Sequence, residues 1–242
     1  MTPRQWPRWF ADLWERVIPP RSYEELVRRD RPIAWWRLSE PDGATAWDAS
    51  GQGNHAAYMG TVTRGVDAIP GVPGGAAARF HGRADYTGCV VPPAARLDGL
   101  LNDLTVEVWF RTLMNGAPIA QVLGHTNLFL ARFNLGRWPP LNAWKVTKYA
   151  VSDIFLGTVP TDTNWHHVAL VYSRTAGTLL YQDGRLAGYD PDARDLEPSR
   201  PFPAVGMAEC GIHEGDLAEV AVYDRVLAPE RIAAHYRMGA GL

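Results

Sequence analysis

The stretch LTVEVWFRT at residues 104–112 sets the strongest constraint on this chain, because Leu104, Val106, Val108 and Phe110 alternate with Thr105, Glu107, Trp109 and Arg111. A period of two sends successive side chains to opposite faces, so the segment reads as a strand with one wholly apolar face. From Pro32 onward, runs rich in Val, Leu, Phe, Trp and Thr recur between clusters of Gly, Pro, Asn and Asp: IAWWRL, AARFHG, YTGCVV, IAQVLG, LFLARFNL, AWKVTK, HHVALVYS, TLLYQD, RLAGYD, FPAVGM and GDLAEVAVYD. Many short strands separated by turn signals predict an all-β sandwich or barrel. The pair Asp183-Gly184, between TLLYQ and RLAG, predicts a type I′ hairpin, since both central residues of that turn need positive φ.

Helical spacing takes over at the two ends. Trp6, Trp9, Phe10, Leu13, Trp14, Val17 and Ile18 recur at i, i+3, i+4, i+7 and onward, leaving Arg8, Asp12, Glu15 and Arg16 for the other face. This predicts an amphipathic helix that Pro7 opens and Pro19-Pro20 ends. Ser22 with Glu25 three residues later is a capping box that starts a second, shorter helix. Residues 1–31 thus read as a helical attachment arm and residues 32–242 as the β domain. A closing helix is expected in LAPERIAAHYRMG, with Pro229 at its first position and Gly239 at its end.

The aromatic stripe needs a cover. Packing back on its own sandwich is one reading. A membrane interface is a poor one, because the polar face carries as many acids as bases. Docking in a groove on another subunit is favoured, because Trp and Arg at helical spacing are typical interface anchors; Trp6, Trp9, Phe10, Leu13, Trp14 and Val17 are then the partner-binding residues.

With 242 residues and 46% hydrophobic content, the chain can bury a sizeable core. A net charge of −2 gives no drive toward nucleic acid. The two cysteines, Cys89 and Cys210, are too few for a disulfide framework. No run approaches the roughly 20 apolar residues of a membrane span, and the N-terminal stretch lacks the uninterrupted apolar region of a secretory signal. The expectation is a chain made in a cytoplasm, without nucleic-acid or membrane partners.

Reactive constellations are sparse. Glycoside hydrolysis needs two opposed carboxylates, and LTVEVWFRT supplies only Glu107, read here as a hydrogen-bond acceptor at the edge of the core. His166 and His167 are adjacent in a strand and point to opposite faces, which excludes joint chelation of one ion. Cys210 and His213 have no second Cys/His pair, and no Gly-x-Ser-x-Gly elbow occurs. No enzymatic activity is expected. The segment GRWPPLNAWKVTKY offers Trp138, Asn142, Trp144 and Tyr149 as aromatic and amide groups for a glycan site, although strand alternation must bury at least one of them.

Four stretches in order, PIAWWRLSE (32–40), WDASGQGNHAAYMG (47–60), WHHVALVYSRTAGTLLYQDGRLAG (165–188) and GDLAEVAVYDRVLAPERIAAHYRMG (215–239), resemble the laminin-G-like, or concanavalin A-like, jelly-roll family. The lead-in SYEELVRRDRPIAWWRLSE is similar to the segment that opens such domains in minor tail proteins of bacteriophages. The resemblance implies a two-sheet antiparallel jelly-roll sandwich, here with an N-terminal helical arm and a short C-terminal helix. It also implies a calcium site between the early Asp-x-Ser-Gly-x-Gly-Asn turn and acids near the last strand. The matching positions are Asp48, Asn54 and Glu219, but Ala218 stands where many relatives carry Asp. Weak calcium binding, and a metal-free turn capped by Asp48, are both open readings. In function, the resemblance implies a non-enzymatic bacteriophage virion protein, homo-oligomeric, located in the tail or on the capsid surface, contacting a host glycan or neighbouring virion subunits. The alternative is a bacterial carbohydrate-binding module.

Overall fold

The computed structural model describes residues 19–81, 88–90, 103–112, 123–125, 133–138, 142–148, 152–193, 203–208 and 211–242. The aromatic stripe at residues 6–18 lies outside them. The chain opens with helix α1 (Tyr23–Arg29) and strands β1 (Ala34–Trp36), β2 (Thr45–Ala46), β3 (Ala56–Met59), β4 (Val62–Asp67), β5 (Ala76–His81), β6 (Gly88–Val90) and β7 (Leu104–Thr112). Strands β8 (Leu123–His125), β9 (Phe133–Trp138), β10 (Ala143–Lys148), β11 (Ser152–Leu156), β12 (His166–Ser173), β13 (Gly177–Gln182) and β14 (Arg185–Asp190) follow. Strands β15 (Pro203–Val205), β16 (Met207–Ala208), β17 (Gly211–Ile212) and β18 (Glu214–Tyr223) precede helix α2 (Pro229–Gly239).

Two antiparallel eight-stranded sheets result. One runs β14-β13-β12-β7-β18-β5-β4, with β1 also paired to β18; the other runs β11-β10-β9-β8-β15-β6-β3-β2. Asp183 and Gly184 take φ of 50° and 72° and join β13 to β14, as the type I′ turn requires. Strands β2, β3, β4, β11 and β17 fall outside the runs expected from sequence. In β4 the reason is visible: its residues alternate between half-buried and exposed, and Gly65 bulges the pairing with β5, so little apolar signal is left.

The apolar face of β7 meets the second sheet as expected. Leu104, Val106, Val108 and Phe110 join Trp36, Phe80, Leu170, Val222 and Trp144 in the core between the layers. The opposite face of the first sheet is also dry. Trp35, Trp109, Ala169, Val171, Ala221 and Tyr223 pack there under Tyr23 and Val27 of α1 and Ile232 of α2, forming a second core. Glu107 therefore sits at the centre of this layer, fully buried, and not at the edge of the core as its place in the strand suggested.

Local chemistry explains the two covering helices. Ser22 Oγ accepts the Glu25 N–H at 3.1 Å, while Glu25 Oε2 accepts the Arg21 N–H at 2.8 Å, a capping box displaced by one residue. The pairs Glu24–Arg28 and Glu25–Arg29 at i, i+4 support the short helix. With Tyr23, Leu26 and Val27 buried, residues 22–31 belong to the body of the sandwich. In α2, Gly239 lies against Trp109: a Cβ there would meet the indole at 2.2 Å.

Candidate binding surface

The turn WDASGQGNH between β2 and β3 is organised by one carboxylate. Asp48 Oδ1 accepts the N–H groups of Trp35 and Ser50, both at 2.9 Å. Its Oδ2 accepts Ser50 Oγ at 2.8 Å and the Asn54 N–H at 2.9 Å. Asn54 Nδ2 donates to Ile33 O and receives, at its own carbonyl, the Trp36 indole N–H, both at 2.7 Å. Gly51 and Gly53 supply the positive φ values of 83° and 80° that close the loop. A side-chain carboxylate satisfied by four donors fixes a loop far better than backbone contacts alone.

That rigid turn holds Trp47 in solvent, 58% exposed. Its backbone N–H donates to Glu40 Oε1 at 2.7 Å, and its ring meets His55 edge-on with centroids 4.7 Å apart. His55 Nδ1 accepts the Asp48 N–H at 3.0 Å, which leaves the ring's proton on Nε2 as an available donor. Tyr58 gives its hydroxyl to Glu40 Oε2 at 2.7 Å and carries the Arg64 guanidinium over its ring. A flat apolar ring flanked by hydrogen-bonding groups suits the faces and hydroxyls of a sugar.

Glu107 acts as the hydrogen-bond acceptor expected from sequence. Glu107 accepts the Tyr223 hydroxyl at 2.7 Å, His235 Nδ1 at 2.8 Å and His167 Nε2 at 3.1 Å. His235 Nε2 donates on to Asp30 at 2.8 Å, whose carboxylate also takes the Arg231 guanidinium. Burial opposes the charge on Glu107, but His235 and His167 overcome it and hold the carboxyl well below the usual range. Burial likewise opposes the charge on His235, and Glu107 and Asp30 win, raising it to about 9. This is an ion network that ties α1 and α2 to the sheet. His166 bridges Asp183 and Asp162 on the other side of β12, and His213 is buried and held neutral, its pKa lowered to about 4 by burial.

A family model described as the concanavalin A-like lectin/glucanases superfamily matches residues 83–233, more than half of the chain. The chain belongs to that superfamily. Among solved structures it is similar to the receptor-binding domain of a botulinum neurotoxin C/D mosaic serotype (TM-score 0.63, 14% identity, covering 86% of this chain and 51% of that one). It is also similar to the binding domain of Paraclostridial Mosquitocidal Protein 1 (TM-score 0.62, 12% identity, 86% and 52%). A third is domain 4 of an extracellular arabinanase from Geobacillus stearothermophilus, in complex with arabinotriose (TM-score 0.57, 16% identity, 85% and 98%). The chain spans about half the length of the toxin chains and nearly all of the arabinanase domain. No curated protein matches it by sequence. These likenesses establish a lectin-like sandwich.

Within this lectin-like frame, the calcium positions separate. Asp48 and Asn54 share the turn, whereas Glu219 occupies a bulge of β18 at φ 54° and accepts Trp35 Nε1 at 2.8 Å and Arg37 Nε at 3.1 Å. Burial raises the Glu219 carboxyl to about 7 against the pull of Arg37. Calcium requires six to eight oxygens, and here both Asp48 oxygens are taken by N–H and O–H donors. The residues as arranged do not fit the ion, and among the described residues no group of three or more His, Cys, Asp or Glu is placed to hold a metal.

The glycan positions separate as well. Trp144 is a core residue with no exposed surface, its indole N–H donating to Gln182, which corrects its reading as a sugar platform: β10 alternation turns it inward beside Phe110. Asn142 is half-buried at φ 46°, its Nδ2 directed at Val159 O at 3.4 Å. The backbone of Trp138 pairs with Ala143; its side chain and Tyr149 lie outside the described residues, as do Trp6, Trp9, Phe10, Leu13, Trp14 and Val17. Trp47 and His55 are not among the candidates the sequence offers, because nothing in WDASGQGNH distinguishes an exposed Trp from a core one.

On the near side of the same turn, Ala49, Ser50 and Gln52 form one wall of a groove of about 430 Å³, faced by Arg28, Arg31 and Arg225. Arg28 and Arg37 lie over the Trp35 ring at 5.3 and 5.2 Å.

Proposed function

We propose that this chain is a non-enzymatic, glycan-binding adhesion domain of a bacteriophage virion, placed in the tail or on the capsid surface. The observation that carries the glycan reading is Trp47: a large aromatic ring kept in water by a turn whose every anchor is satisfied. Exposing an indole costs hydrophobic free energy, and a ligand that stacks on it recovers that cost. The sequestration of Glu107 by two histidines and a tyrosine supports binding without hydrolysis. The arabinanase domain, solved in complex with arabinotriose, supports a saccharide over a protein receptor.

The virion setting rests on the resemblance of the lead-in to phage tail proteins and on the tryptophan-rich stripe that residues 6–18 carry at helical spacing in sequence, an anchor suited to a neighbouring subunit. The second reading, a bacterial carbohydrate-binding module, is favoured by the near-complete coverage of the arabinanase domain. Glycan-array binding of the full chain beside Trp47→Ala tests the first claim. Loss of at least tenfold in affinity with an unchanged melting temperature supports it, and equal binding by both proteins, or none by either, overturns it. Mass spectrometry of purified virions decides the setting: the chain among the structural proteins supports the phage reading, and its absence from particles leaves the bacterial module.

A further inference from the structure

The groove beside the turn is lined by three guanidinium groups and one carboxylate, Asp224. Of the nearby acids, Asp30 is held by Arg231 and His235, and Glu24 compensates Arg28 within the groove while also holding Arg37. Arg28 Nη1 donates to Ala49 O at 3.0 Å, which braces the turn. Arg225 donates to Asp30 O and stands 3.7 Å from Asp224, too loose for a fork-to-fork pair. Arg31 is different. Its side chain is exposed and forms no hydrogen bond or ion pair among the described residues.

Arg31 also has φ of 46°, in the left-handed region, with its N–H bonded to Arg28 O at 3.1 Å as α1 ends. Asn or Gly fits such a position more readily than Arg. The strained residue at the end of the helix thus presents an uncompensated, bidentate donor to a groove whose walls carry Ser50 and Gln52. A planar guanidinium fork is matched by a carboxylate.

We infer that this groove binds an acidic saccharide, the sugar carboxylate seated on Arg31 and Arg225 and its hydroxyls on the turn that also carries Trp47. The inference rests on the glycan-binding reading and names the class of glycan. Calorimetric titration of the full chain tests it with matched pairs: tetragalacturonate and its methyl ester, hyaluronan tetrasaccharide and its methyl ester, sialyllactose and lactose. At least one acidic member should bind tenfold or more tightly than its neutral counterpart, with the preference shrinking as salt rises. Arg31→Gln should abolish the preference and Arg31→Glu should reverse it, both with unchanged melting temperature because Arg31 has no structural partner to lose. If glycans bind but no pair shows the preference, or if Arg31→Gln leaves it intact, the acidic-sugar inference falls while the glycan reading stands. If no glycan binds on the array or in these titrations, it is the glycan reading itself that falls.

Discussion

At the scale of single residues, Glu107 shows how far position can change a side chain's chemistry. Its strand neighbours mark it as the outward, polar alternate of an amphipathic strand, but it is fully buried and paired. Removing one member of a buried charge network costs roughly 3–5 kcal/mol, because the partner charge is stranded. Glu107→Gln should therefore lower stability by about that amount in urea titration; a loss under about 1 kcal/mol would contradict the network. The same network sets a pH dependence. His235 is raised to about 9 when folded, against about 6.5 when unfolded. Its stabilising share is complete below the unfolded value and disappears as pH rises through 9. Glu219, raised to about 7 by burial, acts in the same direction, because the folded state prefers its neutral form. Glu107, held low, loses its share only as pH falls below about 4.5. Thermal melts should thus show stability declining from pH 6.5 to 9, and His235→Gln should flatten the decline.

At the scale of elements, the helices were legible from their ends, and their role was not. The capping pair Ser22 and Glu25 and Pro229 at the first turn announce α1 and α2, yet whether they form an arm or a cover depends on what meets them. Both lie on the first sheet, where Trp109 donates to the Tyr23 hydroxyl at 3.2 Å and stacks on Tyr236 at 6.0 Å. Gly239→Ala forces a methyl group into the Trp109 ring and should cost about 1–3 kcal/mol as an overpacked contact, read as a lowered urea midpoint. Strands with one apolar face, such as β7 and β12, were readable by alternation. Strands such as β4 and β11, half in water, were not, because pairing with a neighbour and not side-chain pattern holds them.

At the scale of the whole molecule, the boundary between body and leader is the testable point. Deleting residues 1–19 should leave a folded domain with an unchanged melting temperature, whereas deleting residues 1–30 also removes α1, uncovers Trp35 and Trp109, and should destabilise or aggregate the protein. Calcium at about a hundred times a micromolar Kd would add about 2.7 kcal/mol and raise Tm by several degrees. No such rise is expected, since the donors around Asp48 already fill its acceptor sites. The sequence by itself determined an all-β sandwich or barrel, its hairpin at Asp183-Gly184 and the helix ends, because these follow from alternation, positive φ and capping, all properties of neighbours in the chain. Tertiary structure alone decided that Glu107 is a buried strut, that Trp144 is core, and that Trp47 and Arg31 face solvent. Those outcomes depend on which distant surfaces are brought together, and residues far apart in sequence, such as Glu107 and His235, carry no local trace of their meeting.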